Sequence, residues 1–327
     1  MSNAKYTYAV ARIRALETKL FNQAVIDQLI GCATEEECIQ VLEEKGWGDQ
    51  ETSGDPEGML TREEEKTWET IREMGVDMDM SVFDVLSYPN LFHNLKAAIK
   101  EACTPEGSRP VNIYYEDTSI PPQEMLEIIQ NKEFSRLPEN MADAAREAYE
   151  ALLHTRDGQL CDVIIDRAAL DAIYQAGLKA KDKIIKDYAE SIVAVADIRI
   201  AVRSQKTGKT VDFMKRAMAE CESLNVDQLA RAAAGGMEAV TEYLSGTAYA
   251  QGGQAIAESP SAFERWCDNQ LIESIKPQKY NPFSAGPLVA YLLARENEIK
   301  TVRIILTGKL NGLPDERIRE RIREMYV

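Results

Sequence analysis

The chain has 327 residues and a mass of 36.6 kDa, enough for two or three domains with substantial cores. Apolar residues make up 45% and charged residues 28%, a globular profile rather than a disordered one. With 54 acids against 38 bases the net charge is −16, which argues against nucleic acid as the main partner because phosphate binding needs a basic field, and leaves room for a local basic patch.

The pattern is helical almost throughout. Tyr6, Val10, Ile13, Leu16, Leu20 and Phe21 recur at three- and four-residue steps, predicting an amphipathic helix over 6–21. A short helix follows from about Thr34, with Glu35, Glu36 and Glu37 suited to the positive end of its dipole. Residues 46–58 (GWGDQETSGDPEG) read as a surface loop. Between 35 and 65 there are twelve acids and two bases. That run reads either as a solvated face, or as a keep-off from phosphate-rich surfaces or a dock for a basic partner.

The next predicted helix is 90–102, ending before Pro105. Arg109 to Tyr115 is the only strand-like stretch, a connector bounded by Pro105/Gly107 and Pro121-Pro122. Helices are then expected over about 122–131, 138–153, 160–182, 186–204, 211–222, 226–234, 237–245, 261–275, 286–307 and 314–325. Pro138, Pro260, Pro287 and Pro314 stand at helix starts, and Gly158, Gly208, Gly246 and Gly308 mark stops or turns. No strand–helix alternation supports an α/β nucleotide fold. The longest strongly apolar run, Leu288 to Ala294, is far short of the ~20 residues a membrane span needs. The first residues carry no apolar signal segment.

Candidate chemistry is sparse. The six cysteines (Cys32, Cys38, Cys103, Cys161, Cys221, Cys267) form no CxxC and read as reduced core thiols of a cytosolic protein. His93 and His154 are the only imidazoles and share no ligand spacing, which disfavours zinc chemistry and histidine triads. Lys206-Thr207-Gly208-Lys209-Thr210 ends like a P-loop, but Arg203 stands where its first glycine is required, so a helix-terminal turn is the reading. Gly235-Gly236 and Gly252-Gly253 read as turns or close helix approaches, and Glu63-Glu64-Glu65 as a solvated helix start. No residue is assigned a catalytic, cofactor-binding or metal-ligating role.

In the last long helix, Leu288, Leu292, Ile299, Val302 and Leu306 form a stripe for burial, with Glu298 and Arg303 on other faces and a favourable Glu296–Lys300 pair. Arg295 falls within the stripe's spacing, so it must find an acid or backbone carbonyls. Residues 295–327 carry eight bases and six acids. Arg317, Arg319, Arg321 and Arg323 suit either an acidic neighbour or solubility.

The helices 6–21, 188–203 and 288–306 share an Ala-rich form with arginines on one face, each followed by a turn and a short acid-started helix. The Pro89 and Pro260 blocks each place a phenylalanine three residues after the proline. Three related helical units are expected: 1–108, 109–185 with 286–327, and 186–285.

The run PFSAGPLVAYLLARENEIKTVRIILTGKLNGLPDERIRERI, with YAVARIRALETKL near the start, resembles the C subunits of the V-type and A-type ATP synthases, a family related to the d subunit of eukaryotic vacuolar ATPases. The resemblance implies an all-α fold of three similar bundles around a pseudo-threefold axis, shaped like a funnel. It implies a non-catalytic rotor subunit on the cytoplasmic face of the membrane, without a span of its own. Its partners would be the D- and F-type central-stalk subunits and the membrane ring of proteolipids, and it would link ATP hydrolysis or synthesis to proton or sodium transport. No cofactor is implied. The acidic loop 48–58 matches no feature of the family. A generic helical scaffold, or an enzyme using the GKT segment, are the alternative readings.

Overall fold

The computed structural model describes residues 3–75, 81–104, 114–116 and 118–327, and every regular element among them is helical. The chain opens with α1 (Asn3–Glu17), α2 (Gln23–Ile30), α3 (Glu35–Glu44) and α4 (Pro56–Met74). It continues with α5 (Ser81–Cys103), α6 (Pro122–Gln130), α7 (Glu139–Thr155), α8 (Gly158–Lys179), α9 (Lys183–Lys206), α10 (Val211–Ala217), α11 (Val226–Gly235), α12 (Met237–Ser245) and α13 (Ala250–Glu258). It closes with α14 (Pro260–Ile275), α15 (Gly286–Leu310) and α16 (Asp315–Arg319). Of the strand-like connector, only Tyr114 and Tyr115 fall among the described residues, and neither is in a strand.

The ends of these helices follow their local chemistry. Asn22 and Thr34 cap α2 and α3 by accepting the backbone N–H of Val25 and Glu37, and the Glu37 carboxylate reaches back to the Ala33 N–H at 2.7 Å. Pro56, Pro122, Pro260 and Pro287 sit in first turns, where the missing N–H costs nothing. Pro89 is different. The expected start at 90 is wrong, because α5 runs through the proline. Phe83, Leu86, Leu91, Phe92 and Leu95 are buried on both sides of it, and that packing outweighs one lost hydrogen bond.

Two other expected helices are shorter. The one expected over 211–222 stops at Ala217, and the one over 314–325 stops at Arg319. Beyond each, the backbone is fixed by side chains instead. Asp197 accepts the Ala219 N–H and Glu190 the Glu222 and Ser223 N–H groups, while Asn269 accepts the Glu324 N–H.

The chain packs into two compact units, Met1–Met80 with Gln254–Val327, and Ser81–Gly253. In the first, α15 packs against α1, α2, α3, α4 and α14. Its core joins Ile26, Leu29 and Leu42 to Ile299, Val302 and Ile305. In the second, α5, α7 and α8 pack together and α8 packs on α9. Small residues set the α8–α9 spacing: a Cβ placed on Gly177 would lie 2.3 Å from that of Ala189.

Candidate functional site

The first unit contains a buried charge cluster built on α15. Arg295 donates to Glu63 at 2.6 Å, to Glu298, and at 3.4 Å to the Thr67 hydroxyl. Its guanidinium lies 5.0 Å from the centre of the Trp47 ring. Glu63 also accepts the Gly48 N–H at 3.0 Å and the Lys66 ammonium at 2.8 Å. Glu298 accepts the Phe21 N–H at 2.5 Å. Burial pushes the Glu298 carboxyl up and the Arg295 charge opposes that push. Two carboxylates, one guanidinium and one ammonium thus close a neutral network. It ties α15 to α4, to the turn before α2 and to the loop at Gly48.

The acid that Arg295 must find is therefore Glu63 together with Glu298. Two expectations are corrected here. Glu298 is wholly buried rather than on an outer face, and Glu63 belongs to the core rather than to a solvated helix start. The loop expected to run to residue 58 ends at Asp55, and α4 follows. Its buried positions, Met59, Leu60, Glu63, Thr67, Ile71 and Met74, keep helical spacing, but the two in the middle are polar.

Beside this cluster lies an open groove of about 920 Å³. Its floor is the outer face of α15, where Glu296, Lys300, Ile304, Thr307 and Asn311 follow one another at helical steps. Glu64 of α4 forms one wall, and Pro260, Ser261 and Glu264 at the start of α14 form the other. α4 runs antiparallel to α15, with Glu57 and Glu63 meeting Arg303 and Arg295; on the other side Asp268 of α14 meets Lys300.

The expected Glu296–Lys300 pair does not form. Lys300 turns instead to Asp268 at 2.6 Å, which also holds Arg323 at 2.6 Å. Together these two cations hold the Asp268 carboxyl below its ordinary range in spite of burial. Of the four C-terminal arginines, Arg317 pairs with Glu320, Arg319 with Asp27 and Arg323 with Asp268.

The remaining candidates are structural. The GKT segment is a helix-terminal turn: Gly208 adopts a left-handed φ of +64°, and Thr210 caps α10 by accepting the Phe213 N–H at 3.2 Å. Lys209 donates to Gln159 at 2.6 Å and covers the Phe213 ring. Gly236 makes the turn between α11 and α12, and Gly253 sits where a Cβ would meet Thr241 at 3.1 Å. His93 packs edge-on against Tyr115, and His154 lies exposed in the last turn of α7. None of the six cysteines is in a disulfide, and burial pushes the Cys38 and Cys161 thiols up to about 12. Among the described residues no group of three or more His, Cys, Asp or Glu side chains is placed to hold a metal ion, and no helix is long and apolar enough to cross a membrane.

The model of the ATP synthase (C/AC39) subunit family matches residues 9–321. The chain belongs to that family. Curated relatives agree over nearly the whole length. The C subunit of the V-type sodium ATPase of Enterococcus hirae is 23% identical over 321 residues, covering 96% of this chain and 97% of the relative. The C subunit of the A-type ATP synthase of Methanocaldococcus jannaschii is 24% identical, covering 97% of this chain and 86% of the relative. That of Desulfurococcus sp. is 23% identical, covering 96% and 90%. The family match spans α4, α14 and α15 alike, so the charge cluster and the groove both lie within it.

Proposed function

We propose that this protein is the non-catalytic rotor subunit that couples the central shaft of a V/A-type rotary ATPase to its membrane ring. The family match over residues 9–321, with full-length likeness to the C subunits of a V-type sodium ATPase and of A-type ATP synthases, carries this reading. In it, D- and F-type stalk subunits bind one part of the molecule and the proteolipid ring another, on the cytoplasmic face. ATP hydrolysis or synthesis is thereby linked to proton or sodium movement. The relation of three similar helical units about a pseudo-threefold axis is part of the same proposal.

The physics supports it. A torque coupler must be stiff, and close-packed helices have low compressibility. The buried cluster at Arg295 adds cross-links between α15, α4 and the turn before α2, where a sliding helix would have to expose charge to an apolar interior. The charge of −16 suits a protein that meets protein surfaces rather than nucleic acid.

The test is affinity purification of the tagged chain from native membranes. Stalk and ring subunits are expected to come with it. Membranes lacking the chain are expected to lose ATP-driven ion transport. Failure of those subunits to co-purify, or ATP turnover by the isolated chain that a point change abolishes, overturns the proposal.

A further inference from the structure

We infer that the groove along α15 is the seat of a helix from a neighbouring subunit, one with a lysine or arginine at one end of its apolar seam and an acid about two turns further along. The inference rests on the reading of this chain as part of a multi-subunit assembly. It adds to that reading the place and the chemistry of one contact.

The shape argues for a helix. From Glu296 to Asn311 the floor advances fifteen residues along α15, about 22 Å at 1.5 Å per residue. Glu64 flanks this floor on one side, and the first turn of α14 with Arg321 and Arg323 of the C-terminal segment flanks it on the other. Ile304 is only half-buried, Leu313 likewise, and Thr307 and Pro260 are exposed. This is the surface an amphipathic helix covers with residues at i, i+3, i+4 and i+7.

The charges say what that helix carries. Glu296 has no ion-pair partner among the described residues, since the lysine one turn on is committed to Asp268. Glu64 faces it from α4, with Arg303 only at 3.9 Å and nearer to Glu57. Crowding by protein pushes both carboxyls up, and Glu64 adds to the push on Glu296. The open mouth of the groove leaves Glu296 exposed to water and moderates that push. A cation arriving there would pair with an acid that this chain leaves uncompensated.

Further along, the Arg321 guanidinium has no ion-pair partner among the described residues. It lies beside the start of α14, where Arg265 holds the neighbouring Glu320 carbonyl at 2.8 Å. An acid on the incoming helix would pair with Arg321. Charges of both signs, separated by an apolar stretch, select a partner more sharply than the apolar surface alone.

The experiment uses the full-length chain and two fluorescein-labelled 18-residue helical peptides. Both share one leucine–alanine seam; one carries lysine and glutamate at the two positions, the other glutamate at both. Fluorescence anisotropy is expected to show the lysine–glutamate peptide binding at least tenfold tighter. Glu296→Lys is expected to remove that preference, and Thr307→Trp to block both peptides. Both residues are exposed, and an unchanged thermal melt confirms that each variant is folded. Equal binding of the two peptides, or no effect of either variant, overturns the inference.

In the assembled complex, benzoylphenylalanine at Thr307 is expected to crosslink to a helical segment of another subunit. A crosslink only to lipid, or only to a second copy of this chain, overturns it. The two readings fail separately. A chain that stays with the complex but shows no charge preference in the groove sinks only this inference. A chain that never joins the complex sinks the rotor proposal, and the peptide assay still decides the groove.

Discussion

The two longest internal helices, α9 and α15, each carry a carboxylate into a core, and they settle it in opposite ways. On α15, Glu298 and its partner Glu63 are neutralised by Arg295, with Lys66 completing the balance and the backbone N–H groups of Phe21 and Gly48 filling remaining lone pairs. On α9, Asp197 is also wholly buried, and its Oδ1 accepts the Ala219 N–H at 3.0 Å. Its Oδ2 has no hydrogen-bond partner among the described residues. Burial pushes that carboxyl up to about 8, with Arg167 opposing and Glu220 and Asp171 adding to the rise. One site has a cation built in beside its carboxylates. The other has none in contact among the described residues, and its carboxyl holds its proton more tightly than an ordinary aspartate. The difference lies in what offsets the burial: a cation on α15, a tightly held proton on α9.

The most damaging break is therefore Arg295→Met. It leaves two buried carboxylates facing each other, and the expected cost is about 3–5 kcal/mol of stability in urea unfolding. Adding Glu63→Gln and Glu298→Gln to that variant is expected to recover most of the loss, because glutamine still accepts from Gly48 and Phe21 without a charge. If Arg295→Met costs under about 1 kcal/mol, the cluster is not what holds α15 in place.

The second break falls on α9 and is read against pH. A carboxyl that holds its proton more tightly when folded loses stability for the fold as pH rises. For Asp197 the window runs from about 4, near its ordinary 3.8, to about 8. Asp197→Asn keeps the acceptor for Ala219 and removes the titration. The variant is expected to match the wild type at about pH 3.5, below the window, and to exceed it by a few kcal/mol at about pH 9, measured by unfolding at both pH values. Parallel curves for the two proteins would show that Asp197 is ionised throughout.

Much of this was legible in the sequence, and the failures have one cause. Where apolar residues keep helical spacing, as in α6, α9 and α15, the expected helices stand within a few residues of the observed ones. Arg295, sitting inside the stripe of α15, announced a buried partner. The partner itself was hidden, because Glu63 and Thr67 occupy the centre of the buried stripe of α4 and make it look like a solvated acidic run. A buried polar residue reads as a surface one until its cation is known to be near, and Arg295 is 232 positions away. α13 was missed because its Gly252-Gly253 pair reads as a turn, and α2 because the expected helix over 6–21 was followed directly by the one from Thr34. The groove needed α4, α14 and α15 side by side, and no local pattern reports that.

A smaller effect tests the spacing of α9 against its neighbour. Gly177→Ala places a methyl group on top of the Ala189 methyl, and both helices must shift. The expected cost is about 1–2 kcal/mol after the better helix propensity of alanine is set against it. Gly177→Ala combined with Ala189→Gly is expected to recover part of it. A thermal melt of the single variant that equals the wild type would mean that α8 and α9 have room to spare where they cross.

The smallest expected effect returns to α15 and asks whether its cluster is complete. Thr301 is fully buried almost two turns beyond Arg295, yet its Oγ1 has no hydrogen-bond partner among the described residues. A hydroxyl the cluster required would be bonded. An unbonded one carries a desolvation cost that valine, of the same shape, does not have. Thr301→Val is therefore expected to be neutral or to stabilise by up to about 1 kcal/mol, in contrast to every change at Arg295, Glu63 or Glu298. A loss above about 1 kcal/mol on urea unfolding would mean that Thr301 is wired into the polar network after all. The neutral balance drawn for α15 would then lack a member.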